Sequence, residues 1–140
     1  MGGTELVNRT EIRVRFNEVD SMKVVWHGHY LKYFEDGREA FGEQYGLSYM
    51  DFYSNRIFVP LVKVEMDFKR SLKWGERAIV ETRFVDSLAA KLILAYTIYN
   101  KDTNEVIATG KSVQVFLDLN NELLLSMPEF YLEWRKKWIK

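Results

Sequence analysis

Apolar and polar residues alternate over five segments of the chain. Residues 11–16 have an apolar side chain at every second position, as does a strand with one buried face. The alternation returns, with many β-branched and aromatic residues, in segments 62–69, 78–84, 92–98 and 106–117. Short turn segments separate these last four. The pattern therefore predicts five strands, of which the last four form an antiparallel meander.

Two further segments have apolar residues at helical spacing. Between residues 29 and 45 large apolar side chains recur every three or four positions, and no proline interrupts them. Gly46 can then end this helix in a left-handed conformation. The pattern predicts one long helix over residues 29–45, and residues 47–54 are compatible with a shorter second helix.

A last helix is predicted near the C-terminal end. Pro128 suits the first turn of a helix, where a missing N–H costs nothing, and Phe130, Trp134 and Trp138 follow at intervals of four residues. The order strand, long helix, four strands, helix predicts an α+β fold. We therefore expect a single domain over residues 1–140, in which the long helix lies across a five-stranded antiparallel sheet.

The amino-acid composition limits which classes of protein and which kinds of functional site are possible. Lysine plus arginine number 20, as do aspartate plus glutamate, so no overall charge favours nucleic acid or a membrane surface. Cysteine is absent, which excludes a disulfide scaffold and a thiolate nucleophile and is compatible with a reducing compartment. No segment has the roughly 20 consecutive apolar residues of a membrane span. We expect a cytoplasmic protein with no membrane or nucleic-acid partner.

Residues 17–41 contain both histidines of the chain, a tryptophan and an aspartate before an apolar run. Asp20, between the first strand and the long helix, has the position of a turn or capping residue, which is its simplest interpretation. His27 and His29 could bind a metal ion, but zinc usually takes three or four ligands and cysteine is absent, so no metal site is predicted.

The residues after Asp20 favour a chemical role for its carboxylate. The apolar segment that ends in Trp26 can form the wall of a pocket, and Gly28 allows the backbone to approach a bound group closely. The N–H groups at the start of a helix carry partial positive charge. A carboxylate near such donors has the parts needed for acyl transfer, because the donors can stabilise the oxyanion that develops during attack on a carbonyl.

The spacing D-x-x-x-V-V-W-H-x-x-Y-x-x-Y-x-E-x-x-R, from Asp20 to Arg38, resembles that of the hotdog-fold acyl-CoA thioesterases of the 4-hydroxybenzoyl-CoA thioesterase family. The resemblance extends over about residues 11–117. It implies a hotdog fold and hydrolysis of an acyl-CoA thioester to a free acid and coenzyme A, without a cofactor. The alternative is a non-catalytic hotdog protein that binds acyl-CoA or acyl-carrier thioesters.

The resemblance also implies roles for single residues. Asp20 would be the catalytic carboxylate, as nucleophile or as general base on water, and the backbone N–H near His27 would polarise the thioester carbonyl. Tyr30, Glu35 and Arg38 resemble scaffold positions of the long helix. The residues implied to contact the acyl group are Met22, Trp26, Met50, Val59 and Leu61. Those that would meet the coenzyme A phosphates are Lys69, Arg70 and Lys91, with Lys73 as a further cation.

The resemblance also implies how the subunits assemble, and the sequence departs from the family pattern at one position. In the family, two subunits join their sheets edge to edge and share the active sites at their interface, so a homodimer or homotetramer is implied. Lys23 stands where the family usually has glycine. If that turn requires a positive φ, Lys23 is strained by roughly 1 kcal/mol.

Overall fold

The structure is a computed structural model that describes residues 5–139. Within this range it has five strands and three α-helices, in an order that confirms the predicted α+β class. The elements are β1 (Val7–Arg13), α1 (His29–Tyr45), α2 (Tyr49–Ser54), β2 (Leu61–Phe68), β3 (Arg77–Val85), β4 (Lys91–Asn100), β5 (Val106–Val115) and α3 (Glu129–Trp138).

The five strands form one antiparallel sheet in the order β1-β3-β4-β5-β2. Strands β3, β4 and β5 form the predicted meander, but β2 pairs with β5 instead of β3. The prediction of a four-stranded meander was therefore wrong. The connection between β2 and β3 carries the chain to the other side of the sheet, where β3 lies between β1 and β4.

Strand β1 was predicted too far along the chain. It spans Val7–Arg13, and after Arg13 the chain leaves the sheet edge and forms a short 3₁₀ helix, Phe16–Glu18. Val14 is buried although it follows the strand, whereas Phe16 is 69% exposed. The alternation of apolar and polar residues continues past the end of the strand because Val14 packs into the core from a loop. The expected burial of Phe16 was wrong.

Helix α1 has the predicted bounds and ends at Gly46, which adopts a left-handed conformation with φ 78°. Its buried face packs on the sheet mainly over β1 and β3. Gly37 makes this contact close, because a Cβ atom there would lie 2.5 Å from Thr82 Oγ1. The half of the sheet formed by β5 and β2 is left less covered by the helix, and the cavities described below lie on that side.

The two shorter helices, α2 and α3, lie near the C-terminal end of α1. The side chain of Ser48 accepts a hydrogen bond from the Asp51 N–H and caps α2. Pro128 precedes α3, as predicted, and Trp134 of this helix donates a hydrogen bond from Nε1 to the Tyr45 carbonyl at 2.6 Å. Helix α3 is thereby fixed against the C-terminal end of α1.

Strands β1 and β2 are the two edges of the sheet. Strand β2 is mostly exposed and includes the apolar side chains Val62 and Phe68, which are more than half exposed. Its backbone pairs with β5 on one side only. Among residues 5–139, no helix has the length and apolar character needed to cross a membrane.

Candidate active site

Asp20 lies in a short hairpin-like loop between the 3₁₀ helix and α1. Its backbone N–H donates to the Val24 carbonyl at 2.9 Å, and Val19 forms an isolated bridge with Val25. The exposed carboxylate accepts a hydrogen bond from the Met22 N–H at 2.8 Å. Asp20 therefore has the turn position that its sequence context predicts, and the rest of its carboxylate is open to solvent, as the proposed chemical role needs.

Lys23 closes the turn of this loop in a left-handed conformation. Its φ is 64°, and its N–H donates to the Asp20 carbonyl at 2.9 Å. A side chain at such a φ costs roughly 1 kcal/mol relative to glycine. The turn therefore has the backbone conformation that glycine adopts most easily, and Lys23 occupies it under strain.

Glu18 holds the loop against α1. Its side chain is almost fully buried and accepts hydrogen bonds from the Arg15 N–H at 2.8 Å and the Tyr33 hydroxyl at 2.9 Å. Lys32 approaches the same carboxylate at 3.4 Å. Burial raises the pKa of Glu18, but the hydrogen bonds and the lysine outweigh it, and the pKa is lowered overall. A buried carboxylate with these partners remains ionised and ties two segments of chain together.

The turn that leads into α1 provides unused hydrogen-bond donors. Trp26 and His29 donate their N–H groups to the Glu18 and Trp26 carbonyls, respectively. Between them in sequence, the N–H groups of His27 and Gly28 have no acceptor among residues 5–139. Such donors at a helix start suit an anion or a developing oxyanion.

The position of the Trp26 side chain explains why residue 28 is glycine. The indole lies so close to Gly28 that an added Cβ atom would be 2.1 Å from its Cζ3. The same indole is 4.9 Å from the His27 ring, between ring centres, and is about half exposed. Glycine at this position thus lets an aromatic side chain cover the start of α1.

A cleft of about 330 Å³ joins the loop, the start of α1 and the end of β2. It brings together five of the residues predicted from sequence, namely Asp20, Trp26, His27, Lys69 and Arg70. Its wall also includes Tyr30 and Phe68, whose ring centres are 5.5 Å apart. We call this site the Asp20 cleft. It combines an open carboxylate, aromatic walls and two cations.

A second and larger cavity, of about 530 Å³, lies near the middle and C-terminal part of α1. Two residues predicted to contact an acyl group, Met50 and Val59, line it, and its inner wall is apolar. We call it the Met50 cavity. Three carboxylates of α1, Glu35, Glu39 and Glu43, also line it.

The remaining predicted site residues lie elsewhere. Leu61 lines a separate small hollow between α1 and the sheet, and Met22 is 80% exposed beside Asp20 without lining either cavity. Lys91, the first residue of β4, pairs with Val115, whose N–H donates to the Pro60 carbonyl. It thus lies beside the start of β2, whereas the Asp20 cleft is at the end of β2.

Some residues of the site had no clear signal in the sequence. Glu18 is charged and next to a turn, which is typical of an exposed residue, yet it is buried. Tyr30 was expected to be scaffold, but it lines the Asp20 cleft and its hydroxyl accepts the Leu72 N–H at 3.2 Å. Gln114 lines the Met50 cavity, and its Nε2 donates to the Val59 carbonyl at 2.7 Å.

Comparison with known proteins gives a single family. The family model described as "Thioesterase-like superfamily" matches residues 14–135. The chain is 29% identical to the "Putative acyl-CoA thioesterase YneP" of Bacillus subtilis over 96% of each chain. It is 27% identical to the 1,4-dihydroxy-2-naphthoyl-CoA hydrolase of Prochlorococcus marinus, over 87% of this chain and 84% of that protein.

A solved structure shows the same fold. The crystal structure of the DHNA-CoA thioesterase from Staphylococcus aureus superimposes with a TM-score of 0.82. The two chains are 24% identical, and the match covers 93% of this chain and 87% of the other. The shared architecture is the hotdog arrangement of a long helix on a five-stranded antiparallel sheet.

Proposed function

Because the chain belongs to the thioesterase-like superfamily, we propose that it is a hydrolase that cleaves an acyl-coenzyme A thioester into a free acid and coenzyme A. One observation carries the proposal beyond the family: the open Asp20 carboxylate and His27, whose N–H has no acceptor within residues 5–139, line the same cleft. A thioesterase needs a group that attacks or activates water, and donors for the oxyanion.

In the proposed reaction Asp20 attacks the thioester carbonyl itself or accepts a proton from the water that attacks it. The N–H groups of His27 and Gly28 would hold the negative charge that forms on the carbonyl oxygen. When Asp20 accepts the proton of the attacking water, the carbon–sulfur bond breaks and the thiol leaves with that proton. When Asp20 attacks directly, the carbon–sulfur bond breaks to give an acyl–Asp20 anhydride, the thiolate takes a proton from solvent, and water hydrolyses the anhydride to the free acid and the restored carboxylate. We propose that no metal ion or cofactor takes part.

The cations and aromatic rings of the cleft suit the other part of the substrate. Lys69 and Arg70 are exposed at the end of β2, where they can meet phosphate groups of coenzyme A. Arg70 also pairs with Glu105 at 3.1 Å, whereas Lys69 forms no ion pair within residues 5–139. Lys69 is therefore the stronger of the two candidates.

The acyl group requires a second subunit in this proposal. The Met50 cavity includes Val59, just before β2, and the Asp20 cleft includes Phe68, at its end. Strand β2 has eight residues, so Val59 and Phe68 lie roughly 26 Å apart at the far ends of the two sites, whereas the nearest lining residues, Tyr30 and Glu35 on α1, are separated by a rise of roughly 8 Å. The carbonyl attacked at Asp20 is bonded directly to the acyl group, and in this proposal the acyl group enters the part of the Met50 cavity around Met50 and Val59, which lies far from the Asp20 of the same chain.

A symmetric dimer resolves this separation. If the open edge of β2 pairs antiparallel with the same edge of a second copy, the start of one β2 lies beside the end of the other. The Met50 cavity of one subunit then adjoins the Asp20 cleft of the other. The cavity is lined by three carboxylates, Glu35, Glu39 and Glu43, and by one cation, Arg38, so its excess of negative charge would face the cations of the cleft.

The alternative is a hotdog protein that binds acyl thioesters without hydrolysing them. The strained Lys23 favours it, because the residue closes the turn that positions Asp20 and adds a positive charge there. Tight binding of acyl-coenzyme A with no thiol release over hours, for every acyl group tried, would support this alternative.

The test of the proposal is release of free thiol from acetyl-, hexanoyl-, palmitoyl-, benzoyl- and 4-hydroxybenzoyl-coenzyme A. Asp20→Asn should lower the rate by about 10²- to 10⁴-fold, the contribution of a general base, with the fold unchanged. Asp118→Asn is the matched control, since the Asp118 carboxylate accepts the Asn120 N–H at 2.8 Å in a similar turn. Equal rates in the Asp20 variant and the wild type would exclude the assignment.

A further inference from the structure

The side chain of Gln114 lies in the wall of the Met50 cavity and has one polar atom without a partner. The residue is 5% exposed, and its Nε2 donates to the Val59 carbonyl at 2.7 Å. Because a carbonyl oxygen only accepts hydrogen bonds, the amide nitrogen must face Val59, and this fixes the orientation of the amide. The Oε1 atom is buried and has no hydrogen-bond partner among residues 5–139. Gln114 thus has an acceptor that the fold itself does not use.

Two other buried polar atoms in the described part of the chain also lack a partner, but their surroundings differ. Thr82 Oγ1 lies at the close contact between the sheet and Gly37, and Arg83 Nε lies 3.6 Å from a Glu81 carboxylate oxygen. Neither Thr82 nor Arg83 lines one of the three hollows described above. A buried acceptor without a donor costs free energy. The Met50 cavity therefore favours a ligand that brings a hydrogen-bond donor.

The packing of the sheet does not explain this oxygen. Gln114 pairs with Leu92 on β4 and with Leu61 on β2. Its hydrogen bond to Val59 uses only the amide nitrogen. The oxygen is a polar atom in a largely apolar inner wall, and a few polar groups in such a wall are what gives a binding site its specificity.

The α1 side of the cavity carries a row of carboxylates. Glu35, Glu39 and Glu43 follow each other at intervals of four residues, which places them on one face of the helix. None of the three forms an ion pair within residues 5–139. Like charges at this spacing destabilise a helix, so the stability of α1 does not explain the row. A positively charged ligand would reduce the repulsion.

The positive charge of the cavity wall lies toward one end of this row. Arg38 and Glu35 also line the small hollow between α1 and the sheet, whereas Glu39 and Glu43 line only the Met50 cavity among the three hollows. In the proposed dimer, the cations of the adjoining cleft meet the phosphates of coenzyme A. The charge of Glu39 and Glu43 is therefore left for the acyl group.

Taking the proposed hydrolase function as its basis, we propose that the Met50 cavity selects an acyl group that carries a protonated amine at the end remote from the thioester. An ammonium group has three N–H donors and a positive charge. One donor would pair with Gln114 Oε1, and the charge would lie near Glu39 and Glu43. Gln114 is thereby a specificity-determining residue, and the two carboxylates select a charged donor over a neutral one.

Other acyl groups leave part of this wall without a partner. A hydrocarbon brings no donor to Gln114, a hydroxyl group gains nothing from the charge of the row, and a carboxylate is repelled by it. The amine takes no part in the bond changes. The hydrolysis is the one proposed above, and the free acid is released with its amine intact.

The experiment compares four coenzyme A thioesters with the same aromatic ring, namely 4-(aminomethyl)benzoyl, 4-(hydroxymethyl)benzoyl, 4-ethylbenzoyl and 4-carboxybenzoyl. Their acyl groups are similar in size, so kcat/KM reports the end group. We expect the aminomethyl compound to exceed the ethyl compound by about 10- to 100-fold, the contribution of a hydrogen bond with one charged partner. It should exceed the hydroxymethyl compound by about 3- to 10-fold, because exposed carboxylates contribute less. The carboxyl compound should be the slowest.

Two variants separate the two contacts. Gln114→Met keeps the length of the side chain without the acceptor, and it should remove most of the advantage of the aminomethyl and hydroxymethyl compounds over the ethyl compound. Glu39→Gln/Glu43→Gln should lower the ratio of aminomethyl to hydroxymethyl to about 1 without changing the ratio of hydroxymethyl to ethyl. Circular dichroism checks that both are folded. If Gln114→Met does not fold, the order in the wild type and the glutamate variant decide.

The control is Glu5→Gln/Asp102→Asn, which removes two exposed carboxylates that line none of the three hollows. It should leave the order of the four thioesters unchanged. The proposal is overturned if the ethyl or the hydroxymethyl compound reacts as fast as the aminomethyl compound in the wild type. It is also overturned if folded Gln114→Met keeps the wild-type order, or if the control shifts the order as much as the glutamate variant does.

Binding to Asp20→Asn separates this proposal from the proposed hydrolase function. Calorimetric titration of this variant measures its affinity for the same four thioesters without relying on turnover. If the wild type releases thiol from no thioester, the hydrolase function fails, and binding of the aminomethyl compound about 10-fold more tightly than the ethyl compound would still support the selective cavity. Equal affinities for all four compounds would overturn it.

Discussion

The proposed sharing of each active site between two subunits predicts that two inactive variants restore each other. Asp20→Asn removes the carboxylate of the cleft, and Val59→Trp fills the Met50 cavity, which Val59 lines as a half-buried residue. Each variant alone should be inactive. If cleft and cavity belong to different chains, a mixed pair has one site with both parts intact: the cleft of the Val59→Trp chain beside the cavity of the Asp20→Asn chain.

The magnitude follows from the symmetry of the proposed dimer. In a site built from two chains, each complete site needs an intact Asp20 from one chain and an intact Met50 cavity from the other. With random pairing of equal amounts, each condition is met half the time. The mixture should therefore recover about a quarter of wild-type activity, and this fraction is the same for a tetramer built from such pairs.

The assay is thiol release after the two variants are produced together in one cell and purified as a mixture. Each variant is also purified alone, and circular dichroism checks that both are folded. Recovery to about a quarter of the wild-type rate would support the two-chain site. No recovery would refute it if both proteins are folded and associate with each other. Full activity of Val59→Trp alone would show that the Met50 cavity does not hold the acyl group.

Three further predictions concern the support of the site. Glu18→Gln should lower the unfolding free energy at pH 7 by about 1.5 to 3 kcal/mol. Because the pKa of Glu18 is lowered in the fold, the difference between variant and wild type should shrink as the pH falls below the ordinary pKa of glutamate. Denaturation curves at pH 7 and pH 3 check this. Lys23→Gly should be more stable than Lys23→Ala by about 1 kcal/mol, because only glycine adopts the left-handed φ of this position without strain. The opposite order of stability in urea denaturation would contradict the turn geometry. Tyr30→Phe should cost about 1 to 3 kcal/mol in thermal or urea unfolding, because the buried Leu72 N–H loses its acceptor; an unchanged midpoint would mean that this hydrogen bond is absent.

Sequence patterns predicted correctly those parts of the fold that depend on interactions between residues close together in the chain. The bounds of α1 follow from helical spacing and from Gly46, whose left-handed conformation ends the helix. The pairing of β2 with β5 did not follow, because alternation shows that a segment is a strand without showing which strand is its neighbour. The error at β1 has the same origin, since burial of Val14 in a loop imitates one more step of the strand pattern.

The candidate site was predicted in part for the same reason. Asp20, His27 and Trp26 are close in sequence, and the loop that joins them brings them to one cleft. Lys69 reaches that cleft only through the tertiary fold, and its prediction came from the resemblance. The resemblance grouped Met50 with Leu61, yet the two line different hollows. Distances along the chain do not reveal such a separation.

The loop that carries Asp20 depends on a few polar contacts and on one strained residue. Glu18 holds it through hydrogen bonds to Tyr33 and to the Arg15 backbone, while Lys23 closes it in a strained conformation. A buried carboxylate that loses its partners costs several kcal/mol, so the loop either keeps this arrangement or detaches locally. The exposed residues 20–23 add nothing to the buried core, whereas Val14 and Val25 on either side of them belong to it. Activity should therefore be lost from Glu18 variants at a lower temperature than the one at which the sheet unfolds.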